Sequence, residues 1–175
     1  MHTRLAVALV SALLIFPGAT WAQEPTPTPE HQALSFWIGT WQIEAEAKPN
    51  PLFPEGKYSA RMTADWFQGG FHVLCHYDWT GVLGAYSELN ILGYDPAAAA
   101  YYNYAIDGFG GGTIFRGPMD EDVWTYTADL AVEGQSMTFR WTVRNASPGV
   151  ITWTSELSVD GGPWILAGEA RAMRQ

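Results

Sequence analysis

Two histidines four residues apart, His72 and His76, have the spacing of paired metal ligands on a helix. On a strand the same spacing spans about 13 Å at ~3.3 Å per residue, too far for one ion. They alternate with Phe71, Val73, Cys75 and Tyr77, so they are expected as exposed strand residues. Cys75 and His76 stand side by side like a thiol nucleophile and its base. Neighbours on a strand face opposite ways and cannot pair. Cys75 is instead expected as a small buried hydrophobe. No Cys-x-x-Cys-His run is present, which excludes covalently attached haem. Gly108-Phe-Gly-Gly-Gly112 is glycine-rich, but a phosphate cradle needs a helix N-terminus or a shaped nest behind it. A strand pattern follows, so a mobile hairpin loop at a barrel mouth is expected. No metal or cofactor is expected.

Glu88, Asn90, Asp107, Arg116 and Glu169 interrupt strand patterns. Buried, such groups orient a ligand or act as acid and base. Exposed, they are ordinary outer-face residues. Both alternating sets in mid-chain contain apolar residues, so the pattern leaves their faces open and catalytic residues unknown. The aromatic set is more informative. Trp66, Tyr77, Trp124, Tyr126, Phe139, Trp141 and Trp153 all fall in inward phases and are the expected ligand-binding residues. Barrels of this size either fill with side chains or enclose one small ligand. Large rings favour partial filling around a modest cavity.

The elements that hold these residues read as strands. Trp41, Ile43, Ala45 and Ala47 alternate with Gln42, Glu44, Glu46 and Lys48. Similar alternations run through Tyr58–Trp66, Phe71–Trp79, Met137–Val143 and Ile151–Val159, with turns at Gly69-Gly70, Asp95-Pro96, Ser147-Pro148-Gly149 and Asp160-Gly161-Gly162. Pro49 to Gly56 holds three prolines and cannot be a central strand. About ten strands with turns every ~8–12 residues fit an antiparallel sandwich or barrel. Leu34, Trp37 and Ile38 share one helical face, so a short helix over 31–38 precedes the strands. One short helix before ten meandering strands fits an all-β, single antiparallel up-and-down barrel best, with an immunoglobulin-type sandwich second.

The N-terminus reads as an export signal. Arg4 precedes an apolar run from Leu5 to Phe16, Pro17-Gly18 breaks it, and Thr20-Trp21-Ala22 suits cleavage. The run is short for a membrane span, which needs about 20 apolar residues. Residues 1–22 are thus expected as a signal peptide, 23–30 as an extended Pro/Thr-rich linker and 31–175 as the domain. The chain carries a net charge of −9, which argues against nucleic acid or an anionic membrane as partner. Its single cysteine cannot form an internal disulfide, so stability must come from burial.

Several segments together resemble one family. Leu34-Ser-Phe-Trp-Ile-Gly-Thr-Trp41 resembles its opening, and Trp66-Phe-Gln-Gly-Gly-Phe71 its second hairpin. Leu89-Asn-Ile-Leu-Gly-Tyr-Asp95 with Tyr102 resembles its most characteristic segment. Asp160-Gly-Gly-Pro-Trp164 and Glu169 to Arg174 complete the likeness. The family is the lipocalin-like domain of unknown function numbered 1579. The resemblance covers residues 31 to 174 and implies a calycin-like barrel, with no reaction, ligand or catalytic residue attached. In such barrels an Arg near the last strand packs over the Gly-x-Trp indole. Arg174 shares a phase with Trp164, Leu166, Gly168, Ala170 and Ala172, an apolar phase expected to face inward. Gly39, Trp41 and Arg174 are therefore expected as structural residues, joined by cation–π stacking.

The leading expectation is an exported, periplasmic or extracellular barrel that binds a small apolar or aromatic molecule. The alternatives are an envelope protein-interaction module with a filled core, or a lyase, isomerase or hydrolase using the cavity. Ligand identity and oligomeric state are not legible in the sequence.

Overall fold

The computed structural model describes residues 25–132 and 134–175. The expected leader lies outside the described residues, as do the first two linker positions. A five-residue helix, α1 (Pro29–Ala33), opens the described chain. Pro29 suits its first turn, where a backbone N–H has no intrahelical acceptor. Thr28 precedes it, and its N–H donates to His31 Nδ1 at 3.1 Å. The helix takes in Pro29 and Glu30, the last two residues of the expected linker, and continues as a 3-10 turn over Leu34–Trp37.

Ten long strands follow, with one two-residue strand among them. In chain order they are β1 (Gly39–Ala47), β2 (Gly56–Trp66), β3 (His72–Gly81), β4 (Gly84–Asp95), β5 (Ala100–Asp107) and β6 (Gly112–Gly117). Then come β7 (Met119–Asp120), β8 (Val123–Val132), β9 (Gln135–Ser147), β10 (Val150–Val159) and β11 (Ile165–Arg174). Pro118, which has no N–H for a ladder, separates β6 from the short β7. The long strands pair antiparallel with their sequence neighbours, and β1 also pairs β11. Arg116 pairs with Thr127, joining β6 to β8 and closing the ring. This is the up-and-down barrel that the alternation predicts. Gly117 makes that seam: a Cβ there would collide with the Thr125 carbonyl oxygen.

One end of the barrel is sealed. Leu34 and Trp37 of the 3-10 turn are fully buried against Trp41, Ile43, Met62 and Val73. The Trp41 indole N–H donates to the Trp37 carbonyl at 2.7 Å. The Arg174 guanidinium lies 4.6 Å from the Trp41 ring centroid, and its Nη2 donates to the Phe36 carbonyl at 2.8 Å. Gly39 sits at φ +125, a conformation that other residues rarely adopt, with the Arg174 side chain against it. Phe36 stacks on Trp124 at 4.2 Å, so the turn plugs this end with rings.

The inward phase of β11 departs from the expected one. A bulge against Ser155–Glu156 skips Ala167, so Ala167 is buried while Leu166 turns out. Trp164 follows it outward, 40% exposed, and lies beneath the Arg140 guanidinium at 4.1 Å.

Candidate functional site

The other end of the barrel is open. A cavity of about 330 Å³ runs from mid-barrel to the mouth formed by the loops after β1, β3 and β5. Three loops bring apolar side chains to this mouth. Pro49, Pro51 and Pro54 keep the first out of the sheet, and Asn50 Oδ1 accepts the N–H groups of Leu52 and Phe53 at 2.8 and 2.9 Å. That turn sets Leu52 and Phe53 on the rim. Leu83 comes from the β3–β4 turn. Asp107 Oδ1 accepts from the N–H groups of Phe109 and Gly111 at 2.8 and 2.9 Å, which shapes the glycine loop and presents Phe109. Phe109 is 66% exposed and meets Tyr86 at 5.2 Å. The loop is thus an Asx-type turn built on Asp107 rather than an anion nest.

Inside the mouth the wall is aromatic. Tyr77, Trp79 and Tyr86 stack in a row at 5.9 and 6.3 Å across β3 and β4. Trp141 meets Trp153 edge-on at 6.1 Å on the facing wall, and Phe139 meets Phe115 at 5.5 Å. The rings leave space because β1 and β11 oppose them with small residues, Ala45, Ala47, Ala167 and Gly168.

A short polar chain crosses this wall. Asn90 donates its amide to Glu88 Oε1, and Asn103 donates to Asn90 Oδ1. Asn103 is 1% exposed, and its Oδ1 has no partner. Burial pushes the Glu88 carboxyl above its usual range. Hydrogen bonding from Asn90 opposes that shift, and the Asp107 charge adds to it. The Trp79 indole N–H faces the same carboxylate and favours its charged form, although no hydrogen bond of normal geometry joins them. Burial also pushes Tyr86 up to about 12, with Glu88 adding to the shift. Tyr77 and Tyr126 are pushed well above the usual phenol range by burial. These phenols are neutral at physiological pH, leaving Glu88 as the cavity's deep ionisable group, with Asp107 at the mouth.

A family model described as "Protein of unknown function (DUF1579)" matches residues 26–174. The chain belongs to the DUF1579 family. The calycin-like barrel implied by its opening and closing segments is the fold observed. The crystal structure of Rv2717c from M. tuberculosis is similar, with a TM-score of 0.59 at 16% identity over 85% of this chain and 98% of that one. That likeness is one of fold. The S-type phycobiliprotein lyase CPES from Guillardia theta gives a TM-score of 0.49 at 12% identity, again over 85% of this chain and 98% of that one. No curated protein matches the sequence.

Within this DUF1579 barrel the aromatic residues singled out from sequence divide into three groups. Tyr77, Phe139, Trp141 and Trp153 line the cavity. Trp124 and Tyr126 are buried in the packed half, where Tyr126 stacks under Trp141 at 5.5 Å. Trp66 is 37% exposed at the end of β2 and lines no part of the cavity, because the strand's last residue reaches the rim of the sealed end. Sequence reading missed Trp79, Tyr86 and Asn103 as wall residues. Trp79 was legible, being two residues beyond Tyr77 on the same strand.

The other candidates lie elsewhere. Cys75 is fully buried in the core. His72 faces outward, and its Nε2 is 2.7 Å from the Tyr102 hydroxyl in a shallow external groove. Arg116 lies in the same groove, 3.8 Å from Asp95 and 5.8 Å from the Tyr102 ring centroid. His76 is exposed. Among the described residues, no three His, Cys, Asp or Glu side chains converge to hold a metal ion.

Proposed function

We propose that this protein is an exported barrel that binds one small apolar or aromatic molecule in its open half. The observation that carries the reading is the cavity itself, about 330 Å³ in volume, within the usual range for small-molecule sites. Its walls are mostly rings, and a few polar groups sit together at one place, the common pattern of a ligand pocket. Export is part of the proposal and rests on the leader-like N-terminus. The interaction module with a filled core has less support, since the open half is not filled.

Native mass spectrometry of the protein from its own source, with extraction of bound compounds, tests this. A stoichiometric adduct supports the reading. A bare mass, together with no saturable quenching of tryptophan fluorescence by N-phenyl-1-naphthylamine, overturns it.

One observation favours an enzyme using the same cavity. Glu88 is a deep carboxyl with a raised pKa, the property of a general acid or base. Incubation of the extracted compound with wild type and Glu88→Gln separates the two: turnover lost in the variant makes it an enzyme, and an unchanged compound makes it a binder.

A further inference from the structure

We propose that the cavity selects a positively charged ligand: an organic ammonium on an apolar or aromatic body, with its charge held at Glu88. This rests on the cavity reading above and adds the sign of the ligand's charge.

The charged residues on the cavity wall are Glu46, Glu88, Asp107 and Glu169, with no Lys, Arg or His among the described lining residues. Three of these acids already have partners. Lys48 Nζ lies 2.9 Å from Glu46 and 4.0 Å from Glu169 at the mouth. Asp107 is engaged by the backbone of its own loop. Glu88 has an amide donor but no cation among the described residues. A carboxylate withdrawn from water without a counter-ion is costly, and a ligand that supplies the counter-ion relieves that cost.

The surroundings of Glu88 point to the same sign. Asn103 donates to Asn90 and Asn90 donates to Glu88, so the chain of amides runs its donors toward the carboxylate. The far end of that chain is the unpartnered acceptor Asn103 Oδ1, nearly fully buried on the cavity wall. Ring faces are electron-rich and attract cations, and the Tyr77–Trp79–Tyr86 row runs beside Glu88, which pairs with Tyr77 across the strands. An ammonium thus finds a carboxylate and ring faces. An anion meets repulsion from both. A neutral body leaves Glu88 uncompensated. The net charge of −9 also draws cations toward the mouth.

The groups that face Glu88 are Tyr77, Trp79 and Cys75 from β3, Tyr86 and Asn90 from its own strand, and Asn103 and Asp107 from β5. The phenols and the buried thiol stay neutral near pH 7, so Glu88 and Asp107 set the local charge. Protonating Glu88 removes the preference, so selection for ammonium weakens as pH falls.

Three probes with one naphthalene body test this: 1-naphthylmethylamine, 1-naphthalenemethanol and 1-naphthaleneacetate. Calorimetric titration of the wild-type protein at pH 8 and low salt is expected to rank the amine tightest, by about tenfold or more over the alcohol, and the acetate weakest. Lowering the pH to 5 shrinks the amine's advantage. In Glu88→Gln the amine falls to the level of the alcohol. Equal binding of amine and alcohol by wild type overturns the charge inference and leaves the cavity reading standing. An amine advantage that survives in Glu88→Gln overturns the role of Glu88. Failure of all three probes to bind overturns both readings.

Discussion

Glu88→Gln should make the empty protein more stable at neutral and alkaline pH. Folding moves the Glu88 carboxyl into an aromatic wall without a cation beside it, and its pKa rises above the ordinary value of a carboxyl group. The folded state therefore holds this proton more tightly than the unfolded chain does. By linkage, the destabilising contribution is absent below the unfolded pKa, grows as pH rises between the two values and is complete above the folded one. Gln keeps an oxygen that accepts from Asn90 but carries no charge. Relief of an uncompensated buried charge is worth roughly 1–4 kcal/mol, by analogy with buried ion pairs replaced by neutral residues. The charge-assisted bond from Asn90 is replaced by a neutral one, a loss of about 1 kcal/mol. The net expectation is ~1 kcal/mol of stabilisation, or about 2–4 °C in Tm for a domain of this size. Thermal melts of both proteins at pH 8 and pH 5 measure it, and taking the difference cancels the other acids. The variant should melt higher at pH 8, with the gap closing toward pH 5. A variant that melts lower at pH 8, or a gap independent of pH, refutes the reasoning.

Three further outcomes follow from the scaffold. Arg174→Ala loses the stacking on Trp41 and the bond to the Phe36 carbonyl; the cost is about 1 kcal/mol for an exposed group, seen as a lower Tm with probe affinity at the far end of the barrel unchanged. Wild-type stability for that variant contradicts the sealing role. Gly117→Ala forces a Cβ into the Thr125 carbonyl at the β6–β8 seam and should destabilise by ~1–3 kcal/mol; an unaltered melting curve shows that the seam is not tight. Cys75 is buried and its thiol pKa is raised by that burial, so the native protein should resist a disulfide reagent at pH 8 and react fully in guanidinium chloride. Stoichiometric labelling of the native state within minutes contradicts its burial.

The filled half of the barrel was legible because its strands obey a simple alternation. Trp41, Ile43, Ala60, Met62, Val73 and Cys75 are all buried where period two places them. The opening Gly-x-Trp was legible for a local reason, since Gly39 at positive φ lets Trp41 turn beneath Arg174. The β11 phase was not legible, because a bulge leaves no mark in a run such as Ile165-Leu-Ala-Gly-Glu169. One skipped residue reversed Trp164 and Leu166. Trp66 had the right phase but sits where the strand ends, and periodicity says nothing of where an interior stops.

The cavity wall was hidden for a different reason, and that reason bears on its role. Over residues 88–91 of β4 and 103–107 of β5 the usual amphipathicity is inverted. Glu88, Asn90, Asn103 and Asp107 face inward, while Leu89, Ile91, Tyr104 and Ile106 face outward. Leu74, Ile91, Tyr104 and Ile114 even form a continuous register row on the outer surface. Half-buried strands normally place their apolar set inside, and here both alternating sets carry apolar residues, so hydrophobicity alone leaves the inward face of these segments open. A packed apolar core would not tolerate the Glu88 carboxylate, which has no cation beside it among the described residues. It is tolerated where the barrel leaves room for something else to meet it. The segment at which the folding rules fail is the segment that lines the cavity, as expected if those residues serve a ligand rather than the fold.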